Sequence, residues 1–192
     1  MSAGLRLIAG LGNPGVQYEK TRHNAGFWFV DGIADRLNVH FRPEAAFQGE
    51  LARLEYGGNT VLLLKPATYM NHSGRSVGSV LRYFKINPAE MLVAHDELEF
   101  LPGVVRLKVA GGHGGHNGIR DIIAQTGSAD FARLRIGIGR PPDKSRVSQY
   151  VLENPGKTEA GQIAAAIDRV MDHAEAMLDG HIQKVMNSLN AV

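Results

Sequence analysis

Two stretches of this chain, LRLIAGLG at residues 5–12 and MLVAHD at residues 91–96, are apolar at almost every position. A strand with one wet face alternates between apolar and polar residues. A run without that alternation is covered on both sides. Both stretches therefore read as strands buried inside a sheet, and such a sheet needs helices over its two faces.

The rest of the chain supplies them. From Asn24, the residues Phe27, Val30, Ile33, Ala34 and Leu37 recur at helical spacing, and Asn24 is placed to cap the start. Val77, Val80, Leu81 and Phe84 mark a second amphipathic helix that stops before Pro88. Ile119, Ile122 and Ile123 mark a short third helix ending at Gly127. From Thr158 a long amphipathic pattern continues to the C-terminus, with a break near Asp179-Gly180. Residues 49–56 and 60–65 flank a GGN turn and read as a β-hairpin. Val105, Leu107 and Val109 alternate with Arg106 and Lys108, and Leu134, Ile136 and Ile138 alternate with Arg133 and Arg135. These are two strands, each with one wet, basic face. Residues 141–157, rich in Pro, Gly and charge, read as mostly loop. Strands and helices interleave, but at least two strand pairs are joined tightly. The pattern predicts an α/β fold: a single domain over residues 1–192, with a twisted mixed β-sheet and helices packed on both faces.

Composition narrows the function. At 192 residues, 44% hydrophobic and 21% charged, the chain has the length and balance of one globular domain with a real core. It has no cysteine, which excludes disulfides and thiolate metal sites. No apolar run is long enough to span a membrane, and the N-terminal run leads straight into a turn, NPG, so no signal peptide is expected. A cytoplasmic protein is expected. The formal net charge is only +2, but residues 106–146 hold eight basic residues against three acids, which leaves the remainder near −3. A local basic excess on a near-neutral chain is what a polyanion-binding face looks like, and also what a solvated basic surface looks like.

GLGNPG at residues 10–15 matches the dinucleotide fingerprint G-x-G-x-x-G. That fingerprint needs a helix opening within the motif to hold the pyrophosphate, and Pro14-Gly15 forces a turn instead. The better reading is a sharp turn that holds Asn13 at the carboxyl edge of the first strand, where open α/β sheets bind ligands. Asp96 ends the second buried strand at the same edge, and His95 should point to the other side and be structural. His23 alone would be an ordinary loop residue. Paired with an acid such as Asp96 it becomes a general base, since the carboxylate fixes the tautomer and stabilises the imidazolium. With no cysteine and no G-x-S-x-G elbow, activated water is the natural nucleophile. Asn71 and Asn117 each lead into a helix, as N-caps or as donors to a developing oxyanion. Between the basic strand and the third helix lies GGHGGHNG, residues 111–118, a pliable loop carrying His113, His116 and Asn117. His113 and His116 could ligate zinc, but no third ligand stands at a recognisable spacing.

Five blocks then stand in order: GLGNPG-x2-Y-x2-TRHNAG, KP-x-TYMN-x-SG, VAHDEL, GGHGGHNG and FARLRIGIGRP. Together they resemble the bacterial-type peptidyl-tRNA hydrolases over nearly the whole chain. The resemblance implies a monomeric α/β enzyme that cleaves the ester joining a peptide to the 3′ end of tRNA, with no metal or organic cofactor. It implies His23 as catalytic base and Asp96 as its partner. Asn13, Asn71 and Asn117 become positioning amides, Met70 a crevice residue, and Tyr18 a neighbour of the acceptor end. Lys108 and Arg135 become the pair that grips the tRNA 5′-phosphate. His116 either contacts the terminal nucleotide or braces the loop. Ala110 stands where many relatives have a glycine, and Arg140-Pro141-Pro142 also departs from the pattern. The competing readings are a non-catalytic RNA-binding module on the same basic face and a metallohydrolase built on His113 and His116.

Overall fold

The computed structural model describes residues 3–192. The first apolar run forms β1 (Leu7–Gly10), shorter than its apolar stretch at both ends. The second forms β5 (Met91–Glu97). They pair in parallel, Leu7 opposite Met91 and Gly10 opposite Ala94, so their carboxyl ends come out together. The expected hairpin is β3 (Gly49–Tyr56) with β4 (Asn59–Pro66), antiparallel, and β4 then pairs in parallel with β1. A short edge strand not foreseen, β2 (Arg42–Glu44), precedes the hairpin. The two basic strands are β6 (Val105–Val109) and β7 (Ala132–Gly137). The complete order is β2-β3-β4-β1-β5-β7-β6: four parallel strands in the centre, antiparallel strands at both edges.

Alternation along β1 and β5 sends side chains to two separate cores. Ile8, Leu92 and Ala94 meet α1 (Ala25–Leu37), α5 (Lys157–Met171), α6 (Ala174–Leu178) and α7 (Ile182–Asn190) on one face. Leu7, Ala9, Met91 and Val93 meet α2 (Ser73–Phe84) and α3 (Asn117–Thr126) on the other. The expected mixed sheet with helices on both faces is what the chain forms. The C-terminal pattern breaks twice, at Asp172–His173 as well as near Gly180. The stretch read as loop contains α4 (Val147–Val151). Edge strand β6 is shielded at Leu107, whose backbone N–H and carbonyl bond both ends of the Asn190 amide at 3.0 and 2.9 Å. No helix among the described residues is long and apolar enough to cross a membrane.

Candidate active site

The turn after β1 never becomes a nucleotide loop. Gly15 sits at φ 110°, and two short 3-10 turns, Val16–Tyr18 and Arg22–Asn24, intervene before α1 begins. Asn24 precedes α1 as expected, but its side chain does not cap it. Instead it bonds the backbone of Asn13 twice: Asn13 N–H donates to Oδ1 at 2.9 Å and Nδ2 donates to the Asn13 carbonyl at 3.0 Å. Asn13 in turn accepts the Met70 N–H on its own Oδ1 at 2.7 Å. Two bonds thereby hold the Asn13 backbone and a third holds its side-chain amide. Its oxygen is occupied, so the NH2 end is the one available to an oxygen-bearing ligand.

His23 lies at the foot of α1 and donates from Nδ1 to Asp96 Oδ2 at 2.9 Å, across 73 residues of sequence. Asp96 is 3% exposed and His23 13%. The other Asp96 oxygen, Oδ1, accepts from His116 Nε2 at 2.7 Å. His116 is also the N-cap of α3, its Nδ1 accepting from the backbone N–H groups of Gly118 and Ile119. That settles its tautomer: Nδ1 receives, so the proton is on Nε2. Asn117 is therefore the first residue of α3, not its cap, and its Oδ1 accepts from Arg120 at 3.2 Å. Asn71 also caps nothing. It is exposed beside Met70, at the turn that leads into α2. Met70 itself is buried, with its sulfur against Gly118 and Ser73.

Electrostatics follow from this arrangement. Burial alone would raise the Asp96 pKa, but two imidazole donors outweigh it and hold the carboxyl far below the usual range. Burial works against a charged His23, yet the adjacent carboxylate prevails and its pKa is raised above 6.5. His95 points to the other face, as alternation requires, and its ring packs edge-on to His116 at 4.7 Å. Burial first, then His116, lower its pKa to about 3, so it is a neutral structural group. His23, Asp96 and His116 place ligand-type atoms within 4.8 Å of one another. The two nitrogens facing the carboxylate each carry a proton, so the cluster is built as a hydrogen-bonded relay, and a cation would have to displace both protons. His113 takes no part in it: its Nδ1 accepts from Gly115 N–H within the loop.

The basic strip assembles, but its four members differ. Register sets Arg106 opposite Arg135 and Lys108 opposite Arg133, all on one face of the β6–β7 pair. Arg135 is paired with Glu97 at 2.9 Å. Arg106 is turned to the carbonyls of Val105 and Leu189. Arg133 is 3% exposed and bonds only backbone. Lys108 is exposed. Tyr18 is half-buried and meets Tyr69 edge-on at 6.3 Å. Tyr69, 56% exposed, was not singled out by sequence, although it lies inside TYMN. Arg22 was missed as well. It bonds the Tyr150 carbonyl, pairs with Glu159 and stacks on the Tyr150 ring, tying α4 and α5 to the turn that holds His23.

A His–carboxylate pair and a held asparagine side chain stand together at the carboxyl edge of the parallel strands, in a chain without cysteine, a set of groups suited to a hydrolase. The chain belongs to the peptidyl-tRNA hydrolase family, whose profile matches residues 7–192. It is 49% identical to the peptidyl-tRNA hydrolase of Coxiella burnetii over 191 residues, covering 100% of both chains. It is 50% identical to that of Methylococcus capsulatus over 186 residues, 97% of this chain and 99% of the other. The fold superposes on the crystal structure of peptidyl-tRNA hydrolase from Acinetobacter baumannii with a TM-score of 0.95 at 45% identity, covering 100% of this chain and 97% of that one.

Proposed function

We propose that the protein hydrolyses the ester joining a peptide, or an N-blocked aminoacyl group, to the 3′ end of tRNA, with water activated by His23. The observation that carries this reading is the His23–Asp96 hydrogen bond. Nδ1 donates to the carboxylate, which leaves the Nε2 lone pair of the neutral ring free to take a proton from water. The hydroxide equivalent attacks the ester carbonyl, and charge builds on its oxygen. The Asn13 NH2 is oriented to donate to that oxygen. Asn71 and Asn117, at the starts of the two helices on the neighbouring face, position water and substrate. As the tetrahedral intermediate collapses, the imidazolium returns its proton to the departing ribose oxygen. Met70 floors the crevice, and Tyr18 with Tyr69 forms an aromatic wall for the acceptor end. His116 holds Asp96 from the second side, which favours bracing over a direct nucleotide contact. Lys108 and Arg135 meet tRNA phosphate. The enzyme acts as a cytoplasmic monomer without a metal.

The test is release of the acyl group from N-blocked aminoacyl-tRNA and from free aminoacyl-tRNA. Cleavage of the blocked substrate with sparing of the free one is expected. His23→Ala should lower turnover by about 10²–10⁴-fold while tRNA binding persists. An RNA-binding module predicts no release by the wild-type protein, and a metallohydrolase predicts loss of release on exhaustive chelation.

A further inference from the structure

Arg133 belongs by sequence to the basic strip, yet it does not face solvent. It is 3% exposed, and its guanidinium rests over the Phe131 ring at 4.5 Å. Its Nη1 donates to the Gly112 carbonyl at 2.6 Å, and Nη2 donates to the carbonyls of Gly111 at 2.6 Å and Ala129 at 3.0 Å. No carboxylate is among these partners. A buried cation held by backbone carbonyls alone fixes the shape of whatever backbone surrounds it.

Here that backbone is the base of the glycine loop. β6 runs antiparallel to β7, and Val109 lies opposite Ala132, the first residue of β7. The loop therefore leaves β6 at the amino end of the parallel strands. It must cross the sheet face to bring His116 to Asp96, which lies opposite Ile136 near the other end. Ala110 and Gly111 make the turn onto that face at φ 59° and 110°, and Ala110 N–H bonds the Phe131 carbonyl. Beyond Arg133 the loop touches little: a Cβ on Gly112, Gly114 or Gly115 would meet nothing within 4 Å. The segment is thus fastened twice, by Arg133 at its base and by His116 at its end, with a free span between.

We propose that Arg133 is a positioning residue for the reaction: it clamps the glycine loop to the sheet face so that His116 is delivered against Asp96, and it does not contact tRNA. The proposal rests on the functional reading above. It differs from the phosphate role that its place in the strip suggests.

Arg133→Met and Arg133→Lys are assayed on N-blocked aminoacyl-tRNA and on a short acyl-oligonucleotide that lacks the tRNA body. The clamp predicts that kcat of Arg133→Met falls about ten- to a hundredfold on both substrates, as a small misplacement of the site does, with KM for tRNA little changed. Arg133→Lys, which keeps the charge and can reach fewer carbonyls, should be intermediate. Two readouts are independent of turnover. Ring ¹⁵N shifts of His116 should lose the signature of the fixed Nε2–H tautomer. Amide exchange at Gly118 and Ile119 should accelerate while β1 and β5 stay protected. A raised KM for tRNA alone, with the His116 signature intact, would place Arg133 in the phosphate strip and overturn the proposal. So would a fall in kcat with an unchanged His116 signature, or unaltered kinetics. If Arg133→Met does not fold, the same readouts on Arg133→Lys decide. A wild-type protein inactive on both substrates would count against the functional reading, while the His116 and exchange measurements would still test the clamp.

Discussion

Asp96 accepts from two rings, and its charge sets what His23 can do near neutral pH. His23 must be neutral to act as a base, and its pKa is raised above 6.5 by the adjacent carboxylate. The rate, kcat/KM, should therefore rise with pH through a midpoint above 6.5 and then level off. Asp96→Asn removes the charge and leaves burial, which lowers the His23 pKa. The acid limb should then move below 6.5 while the plateau falls steeply. A pH–rate profile whose midpoint does not move in Asp96→Asn would exclude this pairing as the source of the shift. His95 acts on stability instead. Folded, it titrates near 3; unfolded, near 6.5. Between these values the unfolded chain binds a proton that the native state refuses. Stability is thus fully present above pH 6.5 and declines by about 1.4 kcal/mol per unit as the pH falls toward 3. His95→Gln should flatten urea-derived stability over pH 4–6. An unchanged slope would show that another group governs it.

At the scale of elements, His23 is placed by the contact of α1 with the ends of β1 and β5. That contact is backbone against backbone: a Cβ on Gly26 would stand 2.3 Å from the Ala94 carbonyl oxygen and 2.5 Å from the Leu11 nitrogen. Gly10, across from it, would meet the Gly26 carbonyl at 2.2 Å. The requirement is close approach and not special dihedral angles, since Gly26 is ordinary helix. Gly26→Ala must push α1 off the strands and carry His23 away from Asp96. We expect a loss of about 1–3 kcal/mol by overpacking and a fall in kcat larger than the change in KM. Chemical denaturation and single-turnover kinetics on the same preparation test both. A variant with normal kcat would mean that the dyad tolerates movement of its helix. The α2–α3 crossing repeats the device, with Gly74 against the Asp121 carbonyl and its N–H bonded to the Asp121 side chain.

Over the whole molecule, the strip on β6 and β7 lies on the α3 face and leads toward the crevice. Arg135 is half-committed to Glu97, a carboxylate one residue beyond Asp96. Any phosphate there must compete with Glu97. Glu97→Gln should lower KM for tRNA and steepen its salt dependence, because the acidic competitor is gone. Lys108→Ala should raise KM and reduce the slope of log binding against log salt by about one unit. Neither should alter cleavage of a short acyl-oligonucleotide. A Glu97→Gln protein with wild-type affinity at all salt concentrations would remove Arg135 from the tRNA contact.

Periodicity wrote the frame into the sequence. β1 and β5 are legible because burial on both faces demands an unbroken apolar run, and the helices because each has one apolar face. β2 escaped notice because three residues, two of them exposed, carry no period, and α4 because the charge and proline around it masked its single turn. Asn13, His23 and Asp96 were legible as candidates, since strand ends and turns are where α/β sheets hold polar groups. Which polar group takes which partner was not. Asn24 stands where a cap should be and bonds Asn13; His116 does the capping expected of Asn117; Arg133 looks like its neighbour Arg135 and turns inward. Apolar burial is a one-body preference that each residue declares by its type and spacing. A hydrogen bond needs two groups within about 3 Å, and residues as far apart as His23 and Asp96 acquire that distance only once the sheet is folded.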